Sequence, residues 1–140
     1  MSQRRRPDSP ARTGRPAPLL VAGSLVAVEG VLVLLLAVLE LRSLDAARAS
    51  MAITTAVFFA GYGALLLVCA RSVTRGHSWA RSPIVLAQLI QLGVAWNYRS
   101  SPTTLLAIGL AVVAAVVVAG LLHPASVEAL ADGPDRPERP

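Results

Sequence analysis

The chain has no lysine and one cysteine among its 140 residues, and it carries only two each of Trp, Tyr, Phe and His. The single thiol, Cys69, excludes an intrachain disulfide and a cysteine-based metal cage. His77 and His123 lie far apart with no acid at ligand spacing, so the pattern offers no metal site. No glycine-rich phosphate loop, nucleophile elbow or catalytic triad is present. No catalytic, cofactor-binding or metal-binding residue is therefore assigned, and a non-enzyme is expected. Charge is scarce as well, at 15% of residues, while 54% are apolar. Ordinary globular chains have about 25% charged and about 45–50% apolar residues. With a mean hydropathy of +0.60, the composition excludes a disordered protein and argues against a soluble enzyme domain.

What is present is arginine and long apolar runs. Thirteen basic residues against eight acids give a net charge of +5 and a pI near 11, a balance that invites a nucleic-acid reading. The placement argues against nucleic acid. Apart from the cluster Arg4, Arg5 and Arg6, the arginines fall in gaps between apolar runs, where membrane topology calls for them. All-arginine usage in an Ala-, Val- and Leu-rich chain also matches the codon bias of a high-GC genome.

A bilayer core of about 30 Å asks for about 20 apolar residues per helix. Four runs qualify, at about 19–41, 51–70, 82–98 and 103–122. The expected fold is all-α: a polytopic, antiparallel four-transmembrane-helix bundle over residues 18–123. Its tails, 1–17 and 124–140, are rich in Pro, Arg, Asp and Ser and are expected to be mostly disordered. Ser82-Pro83 and Ser101-Pro102 each read as a serine N-cap before a first-turn proline. Pro16 and Pro18 precede the first run, Ser50 precedes the second and His123-Pro124 closes the fourth. The third run is interrupted by Gln88 and Gln91, which leaves a re-entrant segment as the alternative. Trp79 at one border, and Trp96 with Tyr98 at the other, favour a span.

Arginine counts in the short flanking segments set the orientation. On one side fall Arg4, Arg5, Arg6, Arg12, Arg15, Arg71, Arg75, Arg81, Arg136 and Arg139; on the other fall Arg42, Arg48 and Arg99. Both termini are expected in the cytoplasm, in a multi-pass protein of the cell membrane. The first run is longer than the apolar region of a signal peptide, so Ala47-Arg48-Ala49 is read as part of an uncleaved anchor. The arginine triplet is followed by Pro7-Asp8 and not by apolar residues, so it reads as a topology determinant.

Helices in lipid associate through small residues and buried polar pairs. Gly23, Ala27, Gly30 and Ala37 in the first run, Ala52, Ala56, Ala60 and Gly63 in the second, and Ala107, Ala111 and Ala114 in the fourth, with Ala115 and Ala119 beside them, form candidate packing stripes. An Ala-rich composition also produces such stripes by chance. Glu29, near the middle of the first run, costs roughly 3 kcal/mol on insertion scales, which the surrounding Leu and Val residues outweigh. It borders the small-residue stripe and is expected to face the bundle. Glu40 lies at the membrane border, where water reaches it. Gln88 and Gln91 share a face of the third run, at a depth that suits a hydrogen bond to Glu29. Two readings stay open: Glu29 is a neutral carboxyl that fixes helix register, or it is the proton or cation site of a small transporter. Cys69 reads as a small apolar residue or an acylation target.

Three short stretches carry a resemblance: Ala27-Val28-Glu29-Gly30; Trp79-Ala80-Arg81-Ser82-Pro83 followed by Gln88-Leu89; and His123-Pro124-Ala125-Ser126 with Ala129-Leu130. Over residues 20–131 the chain resembles a family of small actinobacterial four-helix integral membrane proteins, a likeness that implies a fold and an origin but no activity. A fainter likeness, to the small multidrug resistance transporters, rests on four short helices with a glutamate in the first, and on Tyr62 and Trp96 as aromatic contacts. The long polar tails, the strong orientation bias and the weakly aromatic interior depart from that family. The function expected is a non-enzymatic accessory or structural membrane component, and the alternative is a small proton-coupled transporter. Its partners are the lipid bilayer and a second membrane protein or second copy of the chain, and no cofactor is implied.

Overall fold

Beyond their first turns the long apolar runs contain no proline, and each folds as one uninterrupted α-helix. The computed structural model describes residues 14–42, 49–98 and 102–134. Its elements are α1 (Ala17–Arg42), α2 (Ala49–Thr74), a single 3-10 turn (Ser78–Ala80), α3 (Arg81–Asn97), α4 (Thr104–Leu122) and α5 (Pro124–Ala131). Expected disorder in 1–13 and 135–140, the cap at Ser101, and Arg4–Arg6, Arg12, Arg48, Arg99, Arg136 and Arg139 lie outside the described residues.

Three helices, α1, α2 and α4, are long and apolar enough to cross a membrane. In their most apolar stretches only 28%, 28% and 22% of residues are buried inside the protein, so most of their Leu and Val side chains face outwards. Helices apolar on every face are stable only when lipid or protein surrounds them. At 17 residues and about 1.5 Å per residue, α3 is the shortest of the four main helices.

Three expectations are corrected. The stretch after His123, read as tail, holds a fifth helix. Pro124 occupies its first turn, where a missing N–H costs nothing, and His123 Nδ1 accepts from the Ala125 N–H at 3.2 Å. Ser126 and Leu130 are buried, so α5 packs instead of trailing. Ser82 does not cap α3: the 3-10 turn leads straight into Arg81, and Ala80 stands at the cap without a side-chain bond. Likewise Ser50 lies inside the first turn of α2.

The α2 C-terminus closes on Gly76, whose φ of 90° suits a residue without Cβ. His77 N–H donates to Ser72 O and Gly76 N–H to Val73 O, both at 3.0 Å. This turn sends the chain back as α3. The backbone at Gly23 approaches Ala70 and Val73, and that at Gly120 approaches Pro18 and Ala22. Both α2 and α4 therefore run antiparallel to α1. Each of the four helices packs most closely on its neighbours in the chain, with α4 returning to α1, while α1 and α3 stand across the diagonal. The N-terminus of α1, the turn at Gly76, the start of α3, and α5 gather at one end, with Arg15, Arg71, Arg75 and Arg81. Arg42 marks the other end.

Candidate functional site: a polar waist between four helices

Glu29 is residue 13 of the 26 in α1, and Gln88 and Gln91 flank the middle of α3. Because α1 and α3 are diagonal, only long side chains can bridge them. Gln88 Nε2 donates to Glu29 Oε2 at 2.7 Å, and Gln91 Nε2 donates to Glu29 Oε1 at 3.1 Å. The amide of Gln91 also donates to the Leu110 carbonyl of α4 at 3.1 Å. From α2 comes the half-buried Tyr62, next to Gly63, which packs on the Gly30 that follows Glu29, and its ring stacks on Phe58 with centroids 6.1 Å apart. One carboxyl group thus stands where all four long helices meet, near the midpoint of each.

The helix crossing beside it explains how this is possible. Gly30 and Gly63 face each other, and a Cβ built on Gly63 would lie 2.8 Å from Gly30 O and 2.9 Å from Leu34 Cγ. The absence of both side chains lets α1 and α2 touch backbone to backbone. That contact turns the neighbouring position, Glu29, off the α1–α2 seam and towards the bundle axis. Glu29 itself is half-buried, whereas Gln88 is fully buried.

Gln88 also carries an unmet need. Its Oε1 is buried and accepts no hydrogen bond among the described residues. A buried acceptor without a donor is costly, and this one sits on the side chain that binds Glu29.

The three residues singled out from sequence, Glu29, Gln88 and Gln91, are brought together. Of the two aromatic residues considered with them, Tyr62 joins the cluster, while Trp96 is 69% exposed on the outer surface. The Leu110 carbonyl had no signal in the sequence, since every residue has one. Ser126, fully buried with an unbonded hydroxyl among the described residues, belongs to the helix that was read as tail. Cys69 is buried in the core beside Leu66 and Val73, away from any acylating agent. His77 and His123 stay on connecting segments. No group of three metal-ligating side chains occurs among the described residues.

Packing stripes are sorted as well. Gly23, Gly30 and Ala37, then Ala52, Ala56 and Gly63, then Ala107 and Ala114 are buried, with Ala27 and Ala111 half-buried. Ala60, Ala115 and Ala119 face outwards.

Grooves of four sizes mark the surface formed by the described residues. The largest, of about 830 Å³, runs between α3 and the α4–α5 corner. A second, of about 710 Å³, follows the α1–α2 seam. A third, of about 350 Å³, lies beside Arg15 and Gly76, and a fourth, of about 330 Å³, lies between α3 and α4 near Trp96. None of these four has Glu29 in its lining. No family model, no curated protein and no solved structure matches the chain, so the likenesses drawn from short motifs have no support beyond the chain's own residues.

Proposed function

We propose that this chain is an integral membrane protein that crosses the cell membrane four times, with both termini in the cytoplasm. It acts without catalysis, as an accessory or structural component, through contacts of its outer helix faces with a second membrane protein or a second copy. The observation that carries this reading is the Glu29–Gln88–Gln91–Leu110 network. It satisfies both carboxylate oxygens with donors from the diagonal helix, as a fastener would, and none of the four grooves reaches it. The inward turn of Gln88 and Gln91 supports α3 as the fourth span, because it leaves Leu86, Leu89 and Ile90 outermost. Arg15, Arg71, Arg75 and Arg81 at one end, against Arg42 at the other, support the orientation.

The unpaired Gln88 Oε1 favours one alternative, a small proton-coupled transporter in which Glu29 carries the proton and the turned Gln88 amide accepts a hydrogen bond from its protonated form. Glu29→Gln separates the two. A fastener keeps its hydrogen bonds, and the variant accumulates and melts close to the parent. A proton carrier loses proton uptake in vesicles outright. Topology is tested by reporter fusions, with a cytoplasmic reporter expected active after residue 140 and a periplasm-type reporter expected active near Ala46. The reverse pattern overturns the proposal.

A further inference from the structure

The largest groove has two different ends. At its mouth, where α3 begins, stand Ser78, Arg81 and Ser82. Below the mouth the walls are apolar, with Val85 and Leu89 on one side and Leu122 and Val127 on the other. From Arg81 to Leu89 is eight residues, about 12 Å along the helix, close to the roughly 15 Å depth of one leaflet. Arg81 makes no ion pair among the described residues, which leaves its guanidinium without a carboxylate from any of them. The groove near Trp96 at the opposite end of α3 makes the contrast. It is lined by Leu92, Ile108 and Ala111 with Thr104, and no cation stands in its lining among the described residues.

We propose that the groove between α3 and the α4–α5 corner seats one anionic phospholipid, its phosphate on Arg81 with the Ser82 hydroxyl beside it, and one acyl chain laid along Val85 and Leu89. Guanidinium matches phosphate in charge and in the geometry of its donors. Basic pockets between spanning helices on the cytoplasmic side suit anionic headgroups. The apolar walls fit a chain and not a soluble phosphate, and their length fits one leaflet. The inference rests on the membrane reading above, with the Arg81 end at the cytoplasmic surface.

The test uses the full chain in phosphatidylcholine–phosphatidylglycerol vesicles, with Trp79→Phe and Trp96→Phe removing the native reporters. Leu89→Trp then reports from the groove, and Ile108→Trp reports from the groove at the other end; both positions are exposed. Acyl-brominated phosphatidylglycerol should quench the reporter at 89 about fivefold more effectively than acyl-brominated phosphatidylcholine, the preference expected of one arginine at a lipid surface. The reporter at 108 should show no preference. Arg81→Gln should bring the ratio at 89 to one, and Arg81→Lys should keep most of it, with helical circular dichroism matching the parent in both. Equal quenching at 89 in the parent, an unchanged ratio in Arg81→Gln, or the same preference at 108 would overturn the site while leaving the membrane reading intact. Absence of quenching by either lipid at both positions would remove the membrane reading itself.

Discussion

Between Glu29 and the Arg81 end, the bundle buries the branched side chains of Leu19, Val26, Leu66, Val73, Ile84, Val117, Leu121 and Leu130, interlocked with the small Ala22, Cys69, Ala70, Ala80, Ala87 and Ala114. Between Glu29 and the Arg42 end, the buried apolar side chains among the described residues are Ala37, Ala52, Ala56, Ala95 and Ala107, all alanines. The helices are continuous through both halves, so the difference lies in what holds them together. Surrounded by lipid tails, Leu gains nothing by turning inward, and helices associate where small residues let backbones come close. The alanine half is built that way. In the other half, α5 folds over the bundle end with Leu130 inserted, and large side chains are enclosed by protein on all sides. The Glu29 cluster and the Gly30–Gly63 crossing stand between the two.

The greatest effect is expected at that crossing. Gly63→Val would drive a side chain into the Gly30 carbonyl, which cannot rotate away, and should cost about 3 kcal/mol in detergent unfolding followed by circular dichroism. A loss below about 1 kcal/mol would show that the two helices slide apart at little cost. Next comes the seal of the branched half. Leu130→Ala should cost about 2 kcal/mol and expose residues 124–131 to proteolysis without loosening the Arg42 end, as hydrogen exchange would show. Equal loosening at both ends would erase the distinction between halves.

Glu29→Leu should cost about 1.5 kcal/mol, because it strands the buried amide of Gln88, while Gln91 keeps its bond to the Leu110 carbonyl. Gln88→Leu in the same chain should recover part of that loss, since removing both partners spares the orphaned donor. Simple addition of the two losses would mean that the hydrogen bond contributes nothing. The smallest change is expected at Ala60, which shares a helix with Ala52 and Ala56 but faces out. Ala60→Leu should fall within about 0.5 kcal/mol of the parent, whereas Ala52→Leu, forced into the alanine seam, should not.

The spanning helices were readable from residue type because a run of about 20 apolar residues without proline has few other outcomes. Their observed ends lie within a few residues of those expected, apart from the end of α2, where the polar Arg71 and Ser72 continue the helix to Thr74. Glu29, Gln88 and Gln91 could be paired because polar groups in lipid have few partners to choose from. Leu110 could not, since its contribution is a backbone oxygen. The helix α5 was legible in part: Pro124 at its start and Ser126 four positions before Leu130 form a helical pattern, masked by the acidic, proline-containing stretch that follows. Nor does composition say which alanines touch. Ala56 and Ala60 are alike in sequence, and the angle at which α2 meets α1 buries one and exposes the other.

A side-chain amide turned by half a revolution about its last bond exchanges a donor for an acceptor and leaves the shape of the contact unchanged. With Glu29 ionised, Gln88 offers its N–H to Oε2; with Glu29 carrying a proton there, the turned amide offers its oxygen at the same place. Gln91 donates to Oε1 in both cases. Each state leaves one atom of the Gln88 amide unbonded, so neither gains a hydrogen bond over the other. The contact across the diagonal can therefore be made in either state by a half-turn of one amide, with the ionised carboxylate the stronger acceptor.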